Sequence, residues 1–240
     1  MKLENDIALA MRLADAAAAA IRPHFRTVAA ERKGDATPVT LADREAEEVM
    51  RRILTAEVPR DTIIGEEFGS TAGTSGRSWV LDPIDGTRSF LAGTPTWGVL
   101  IAVSDENGPI YGLIDQPYIG ERFAGGLGRA DLRGPMGLRQ LKTRAPRPLS
   151  EAILFTTFPE VGTPEDGAAF NRVKAQARLT RYGTDCYAYG LIAAGQIDLV
   201  IEAGLLAYDV QGPIAVIEAA GGIVTDWHGN PCPMGGHVLA

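Results

Sequence analysis

At 240 residues with 45% hydrophobic side chains, the chain is long enough for one large domain or two fused lobes. A formal charge of −7, from 23 basic and 30 acidic residues, argues against non-specific nucleic-acid binding and against attraction to an anionic membrane surface. Two cysteines, Cys186 and Cys232, form neither a disulfide framework nor a metal-ligand pattern and read as buried or idle thiols.

Lys2, Glu4 and Asp6 interrupt the start, with no apolar core ahead of a cleavage site. No apolar run reaches the roughly 18 residues of a membrane span. The expectation is a cytoplasmic protein.

Leu3, Ile7, Met11, Ala14, Ala18, Ile21 and Phe25 recur at helical steps and predict a long amphipathic helix that ends or kinks near Pro23. Lys33 to Pro38 mixes charge, Gly and Pro without periodicity and reads as a loop, a candidate flap. Thr40 predicts the cap of a second helix, with Asp43 and Glu45 in its first turn and Val49, Met50, Ile53 and Leu54 on its apolar face. Alone, Asp43 reads as an ordinary first-turn acid. Asp61 to Glu67 predicts a short strand ending in two acids, followed by a Gly/Ser/Thr-rich loop over 71–78.

Trp79-Val80-Leu81-Asp82-Pro83-Ile84-Asp85-Gly86-Thr87 is the most informative stretch. Trp79 to Leu81 predict a buried strand that delivers Asp82 to its carboxyl end. Pro83 stiffens the step to Asp85. Gly86 permits a tight turn, and Thr87 to Leu91 predict the opening of a helix. Acids at a strand end beside a helix N-terminus can hold cations and an anion together.

Trp97 to Val103, Pro109 to Asp115 and Glu121 to Gly125 predict an antiparallel meander. Arg129 to Pro148 is polar and basic, and reads as a connection between two lobes. Strands are then expected over 152–156, 197–202 and 223–226, and helices over 165–178, 186–195 and 210–220. Strands, a meander and alternating helices indicate a layered α+β fold. The expected organisation is one catalytic unit with an α+β lobe over about 1–145 and an α/β lobe over about 146–240.

Four acids stand at comparable places: Glu66, Asp82 and Asp85 at strand ends, and Asp209 ahead of a helix. No histidine joins them, and oxygen-only donors favour Mg²⁺ over Zn²⁺. An Asp82 shared between ions about 3.5–4 Å apart would make a two-metal clamp on a phosphate ester, one ion acidifying water and the other steadying the leaving oxygen.

The Asp-Pro-Ile-Asp-Gly-Thr string, with Gly65-Glu66-Glu67 upstream, resembles the signature of the inositol monophosphatase superfamily. Tyr208-Asp209-Val210 followed by Glu218-Ala219-Ala220-Gly221-Gly222 is similar in place to its second signature. The resemblance implies a layered αβαβα sandwich, usually dimeric, with two or three Mg²⁺ ions. It implies Glu66, Asp82, Asp85, Asp209 and the carbonyl of Ile84 as metal ligands, and Gly86 and Thr87 as phosphate-binding amides. Asp43 and Thr87 would orient the attacking water, with Glu66 also in the catalytic set, and Lys33 would lie on a flap that completes a metal site. The implied reaction is in-line attack of water on a phosphate monoester without a phosphoenzyme. Members of the superfamily usually continue with another short strand and a helix beyond the position of Ala240.

Tyr208 stands where the superfamily usually has Trp, and Gln211-Gly212-Pro213 follows. The segments Arg181 to Tyr189, Ile201 to Leu205, Phe155 to Thr157 and Glu121 to Phe123 resemble the histidinol-phosphate phosphatase branch. There an acid at the Asp185 position, beside Thr184, suits a cationic substrate, with Glu202 as a second substrate-facing acid. Asp185 also reads as a helix N-cap, and the two roles are compatible. The expected function is Mg²⁺-dependent hydrolysis of L-histidinol phosphate. An inositol-1-phosphate or broad sugar-phosphate phosphatase is the alternative, and a non-catalytic regulatory homologue is the reading from a different class.

Overall fold

The computed structural model describes residues 2–27, 31–32 and 38–240; Lys33 and the rest of the expected flap except Pro38 lie outside them. Helix α1 (Lys2–Ile21) buries Leu9, Leu13, Ala14, Ala17 and Ile21 along one stripe. A 3-10 turn over Arg22–His24 follows, and Pro23 sits where the α-helix stops. Strands β1 (Glu31–Arg32) and β2 (Pro38–Val39) pair antiparallel. Helix α2 (Leu41–Glu57) starts at Thr40, which shares a capping box with Asp43. Its covered face carries Ala42, Ala46, Met50 and Leu54, but also two acids, Asp43 and Glu47.

The larger sheet has eight strands: β3 (Thr62–Gly65), β4 (Gly69–Thr71), β5 (Ser78–Asp85), β6 (Gly98–Asp105), β7 (Gly108–Gln116), β8 (Glu121–Gly126), β9 (Arg129–Gly134) and β10 (Gly137–Gln140). Its order is β10-β9-β8-β7-β6-β5-β3-β4, and only the β3–β5 pair is parallel. The expected connection over 129–148 is therefore corrected: its first part is the hairpin β9–β10 at the sheet edge. The segment reads as polar because little of it is covered; Leu132 alone is buried in β9 and every residue of β10 is exposed.

The smaller sheet holds β11 (Ile153–Thr156), β12 (Leu179–Tyr182), β13 (Leu199–Leu206) and β14 (Gly235–Leu239), in the order β12-β11-β13-β14. The strand expected over 223–226 is reduced to a single bridge, Thr225 to Leu239. Helix α3 (Thr87–Ala92) follows β5, and α4 (Pro164–Lys174) is opened by a Thr163–Asp166 capping box. Helix α5 (Tyr187–Ala193) precedes β13. Helix α6 (Ala207–Ala219) begins three residues earlier than its apolar run suggests, so Asp209 lies inside its first turn rather than ahead of it.

Helices α1 and α2 pack on one face of the large sheet, and α6 packs on the other. Helices α5 and α6 contact each other and fill the space between the two sheets, and α4 closes the outer face of the small sheet through Phe170. The result is the five-layer αβαβα sandwich. The middle core joins Leu100, Ile114 and Phe123 of the large sheet to Val210, Ile214 and Ile217 of α6 and to Val200 and Val238 of the small sheet. Each large apolar side chain enclosed there contributes about 1.5–3 kcal/mol.

One irregularity positions the site. Asp82 pairs with Leu100 and Asp85 with Gly98, so three steps along β5 match two along β6. In a regular strand residues three apart face opposite sides. The extra residue of this bulge turns both acids to the same side. Pro83 falls inside the bulge, where a missing N–H costs the ladder little.

Candidate metal and phosphate site

Asp82 and Asp85 from β5 and Asp209 from α6 bring carboxylate oxygens within 4.8 Å of one another. Backbone amides orient two of them. Leu206 N donates to Asp209 Oδ2 at 2.6 Å, and Cys186 N donates to Asp85 Oδ2 at 2.6 Å. Asp82 is buried, and its Oδ1 has no hydrogen-bond partner among the described residues. Glu66 stands one residue beyond β3, and its N–H donates to Leu81 O at 3.2 Å, which holds it beside Asp82.

Burial and the crowding of like charges hold Asp82, Asp85 and Asp209 above the ordinary carboxylate range. Asp82 rises through burial, then through the charges of Glu66, Asp85 and Asp209. Asp85 rises through burial, then through Asp185 and Asp209. Asp209 is pushed up to about 6, chiefly by burial. An orphaned buried oxygen within a set of mutually repelling carboxylates is what a hard cation would satisfy, so these residues fit a metal site with oxygen donors.

Gly86 adopts the left-handed region, φ 84°, and forms the N-cap of α3. A Cβ there would also stand 2.7 Å from Asp185 Cγ. The N–H groups of the first turn of α3 have no partner within the helix and face the same end of β5 as the acids. Thr87 Oγ1 donates to Ile84 O at 3.2 Å. Gly86→Ala is expected to lower kcat/KM about 100-fold. Left-handed strain of roughly 1–2 kcal/mol and the clash with Asp185 together displace the turn. Steady-state kinetics, with circular dichroism to check the fold, measures it.

Asp43 is fully buried. Its Oδ2 accepts from Thr40 N at 2.8 Å and Thr40 Oγ1 at 2.6 Å, whereas Oδ1 has no partner among the described residues. Burial raises its carboxyl, and the Glu66 charge adds to the effect. Asp43 is thus a helix-capping acid with one oxygen to spare. Thr87 spends its hydroxyl on Ile84 rather than on Asp43.

Asp185 adopts φ 46°, in the left-handed region. Its Oδ2 accepts from Ser89 Oγ at 2.5 Å and Thr96 Oγ1 at 2.9 Å. Its side chain does not cap a helix: α5 has Cys186 at its N-cap, without a side-chain bond. The N-cap reading is corrected by the two hydroxyls, which draw the carboxylate back toward α3. Glu202, on β13, accepts from Thr157 N at 2.6 Å, Thr157 Oγ1 at 2.9 Å and Thr156 Oγ1 at 3.2 Å. Burial still pushes its carboxyl up to about 7. Thr184 Oγ1 is buried without a partner among the described residues, and Thr184 does not line the cavity.

A cavity of about 290 Å³ is lined by Glu66, Asp85, Gly86, Thr87, Asp185, Glu202 and Asp209; Asp82 is buried beside Asp85 and Asp209, and Asp43 is buried within reach of the Glu66 charge. Arg88 stacks over Phe158 at its rim, 4.7 Å to the ring centroid. Two cavities of about 410 and 440 Å³ lie elsewhere, but the only acid lining either is Asp198, which is already paired with Arg144. Of these three cavities, only the one of about 290 Å³ gathers several acids. Ser89, Thr96 and Glu47 escaped the sequence reading. Hydroxyls on a short helix and a glutamate in a long one carry no signal until the tertiary contacts exist. The faint clue to Glu47 was its spacing, one helical turn after Asp43.

The family model of the inositol monophosphatases matches residues 2–240. The chain belongs to the inositol monophosphatase family. It is 44% identical over 232 residues to the bifunctional phosphatase IMPL2, chloroplastic, of Arabidopsis thaliana, covering 95% of this chain and 66% of that protein. It is 36% identical over 246 residues to a histidinol-phosphatase of Streptomyces coelicolor, covering 98% of this chain and 92% of the relative. An inositol monophosphatase structure from Zymomonas mobilis superposes with a TM-score of 0.87 at 42% identity, covering 98% of this chain and 92% of the other. Inositol monophosphatase family membership makes this chain a phosphatase acting on small phosphate esters. Among the described residues no helix is long and apolar enough to cross a membrane.

Proposed function

We propose that this protein is a Mg²⁺-dependent phosphomonoesterase whose substrate is L-histidinol phosphate. The observation that carries the reading is the pairing, in one cavity, of a metal-type acid cluster with two further carboxylates, Asp185 and Glu202, on the substrate side. A polyol offers only hydroxyls to such acids. Histidinol phosphate offers an ammonium and an imidazole, and charge-assisted bonds to these exceed neutral ones by about twofold.

Glu66, Asp82, Asp85, Asp209 and the Ile84 carbonyl would hold the ions. Bound Mg²⁺ would polarise the phosphoryl group and make water a competent nucleophile at neutral pH. Gly86 and Thr87 receive phosphate oxygens on the first-turn amides of α3. Asp43, Glu66 and Thr87 orient the water, with Asp43 Oδ1 the acceptor left over from helix capping. Glu202 ionises beside a cationic substrate, because the opposite charge offsets the burial that otherwise keeps it near neutrality.

Phosphate release from L-histidinol phosphate and from inositol 1-phosphate, measured side by side, tests the reading. Preference for the former by at least tenfold in kcat/KM is expected. Glu202→Gln should raise KM for L-histidinol phosphate about 10–100-fold, the loss of one charged hydrogen bond. Comparable rates on both esters would overturn the narrow substrate and favour the inositol reading, which the 42% identity to the Zymomonas mobilis enzyme supports.

A further inference from the structure

Glu47 is a glutamate with no exposed surface in the middle of an otherwise amphipathic helix. Such a group persists only when its oxygens are fully used. Its Oε2 accepts from Glu67 N at 2.7 Å; its Oε1 accepts from Phe68 N at 3.2 Å and from Arg51 Nε at 2.7 Å. Arg51, one turn further along α2, continues the grip on the same hairpin. It donates to Gly69 O and to Thr71 Oγ1, and lies over the Phe68 ring. Two residues of α2 therefore clasp the β3–β4 turn over its whole length.

That turn begins with Glu66. On its other side Glu66 is tied to Leu81 O, next to Asp82. A Cβ on Gly65 would stand 2.0 Å from Glu47 Oε1, so the residue before Glu66 is glycine because the Glu47 carboxylate occupies the space. Asp43 and Glu47 are one helical turn apart on the buried face, so a single rigid helix sets both Asp43 and the loop that bears Glu66.

We propose that Glu47 is a positioning residue for Glu66: it fixes the backbone of the Glu66–Phe68 turn and thereby sets the affinity of the acid cluster for Mg²⁺. The proposal rests on the reading of Glu66 as a metal ligand. Outer residues that orient ligands in this way typically govern affinity by 10–100-fold.

The test compares wild type, Glu47→Gln and Gly65→Ala in the full chain. Glu47→Gln keeps the shape but turns a donor toward the Glu67 amide; Gly65→Ala displaces the carboxylate without changing it. Calorimetric titration with Mg²⁺ should show affinity reduced about 10–100-fold in both, and the Mg²⁺ concentration giving half-maximal phosphatase rate should rise by the same factor. The rate at saturating Mg²⁺ should stay within about threefold of wild type. If Glu47→Gln fails to accumulate as folded protein, Glu47→Asp, one methylene short, takes its place beside Gly65→Ala. A purely structural role would lower the melting temperature of the metal-free variants and leave Mg²⁺ affinity unmoved, and that result overturns the proposal. Failure of the wild type to bind Mg²⁺ would instead overturn the metal reading itself.

Discussion

Asp82→Asn is expected to lower phosphatase kcat by at least about 10³-fold, roughly 4 kcal/mol of transition-state stabilisation. Asp82 is the buried member of the cluster, and its Oδ1 has no protein partner among the described residues. Neither Asp85 nor Asp209 can replace it without breaking its own orienting bond: Asp85 is held by Cys186 N and Asp209 by Leu206 N. The same substitution removes one of several crowded negative charges. The metal-free variant should therefore melt at the same temperature as wild type or higher, while excess Mg²⁺ stabilises it far less. Kinetics and differential scanning calorimetry on one preparation read both effects. Full activity in Asp82→Asn with Mg²⁺ would end the proposed mechanism.

The metal-free protein should lose stability as pH rises from about 4 to about 7, the reverse of ordinary acid denaturation. Asp209 is pushed up to about 6 and Glu202 up to about 7 by burial, and Asp82 and Asp85 lie well above their usual range for the same reason, reinforced by one another. For an acid raised in the folded state, the native chain binds more protons than the unfolded one between the two pKa values. Stability then falls with rising pH across that window, by up to about 1.4 kcal/mol per pH unit per group. Half-buried Asp166 and Asp226 are held below the usual range, chiefly by hydrogen bonds from their own turns, and they act in the opposite sense only at more acidic pH. A divalent cation that bound the ionised cluster would reverse the trend near neutrality. At 100 times its dissociation constant it contributes about 2.7 kcal/mol. Melting curves at about pH 5.5 and about pH 7.5, with Mg²⁺ and with EDTA, check this. A metal-free melting temperature that rises with pH would contradict it.

Much of this architecture is written locally. Thr40 and Asp43 form a capping box because both partners lie within one turn, and Trp79 to Thr87 carries strand, stop and helix start in nine consecutive residues. Glu66, Asp82, Asp85 and Asp209 stand out in the sequence as acids at the ends of elements, whereas Asp43 alone reads as an ordinary first-turn acid and draws its candidate role from the resemblance. The β9–β10 hairpin was not legible, since an edge strand buries few side chains and leaves little alternation to detect. The start of α6 was missed because Ala207 and Tyr208 look like the end of β13 until Asp209 bonds back to Leu206. Asp185 resembled a cap from its position ahead of an apolar helix. Its true partners, Ser89 and Thr96, lie 96 and 89 residues away.

The bulge in β5 makes the site a matter of parity. Asp82 and Asp85 share a side only because one residue more than the partner strand requires lies between them. Ile84 contributes a buried side chain to the core beneath α1 and α2, so a different apolar residue of similar volume there should leave the acids in place. An insertion between the two aspartates would set four steps of β5 against the same two of β6, and a deletion would leave two plain steps with no bulge, so either change displaces the carboxylates from their present places. The constraint on this stretch is therefore its count before its composition, and a library of single-residue insertions should show a gap here sharper than any substitution scan would reveal.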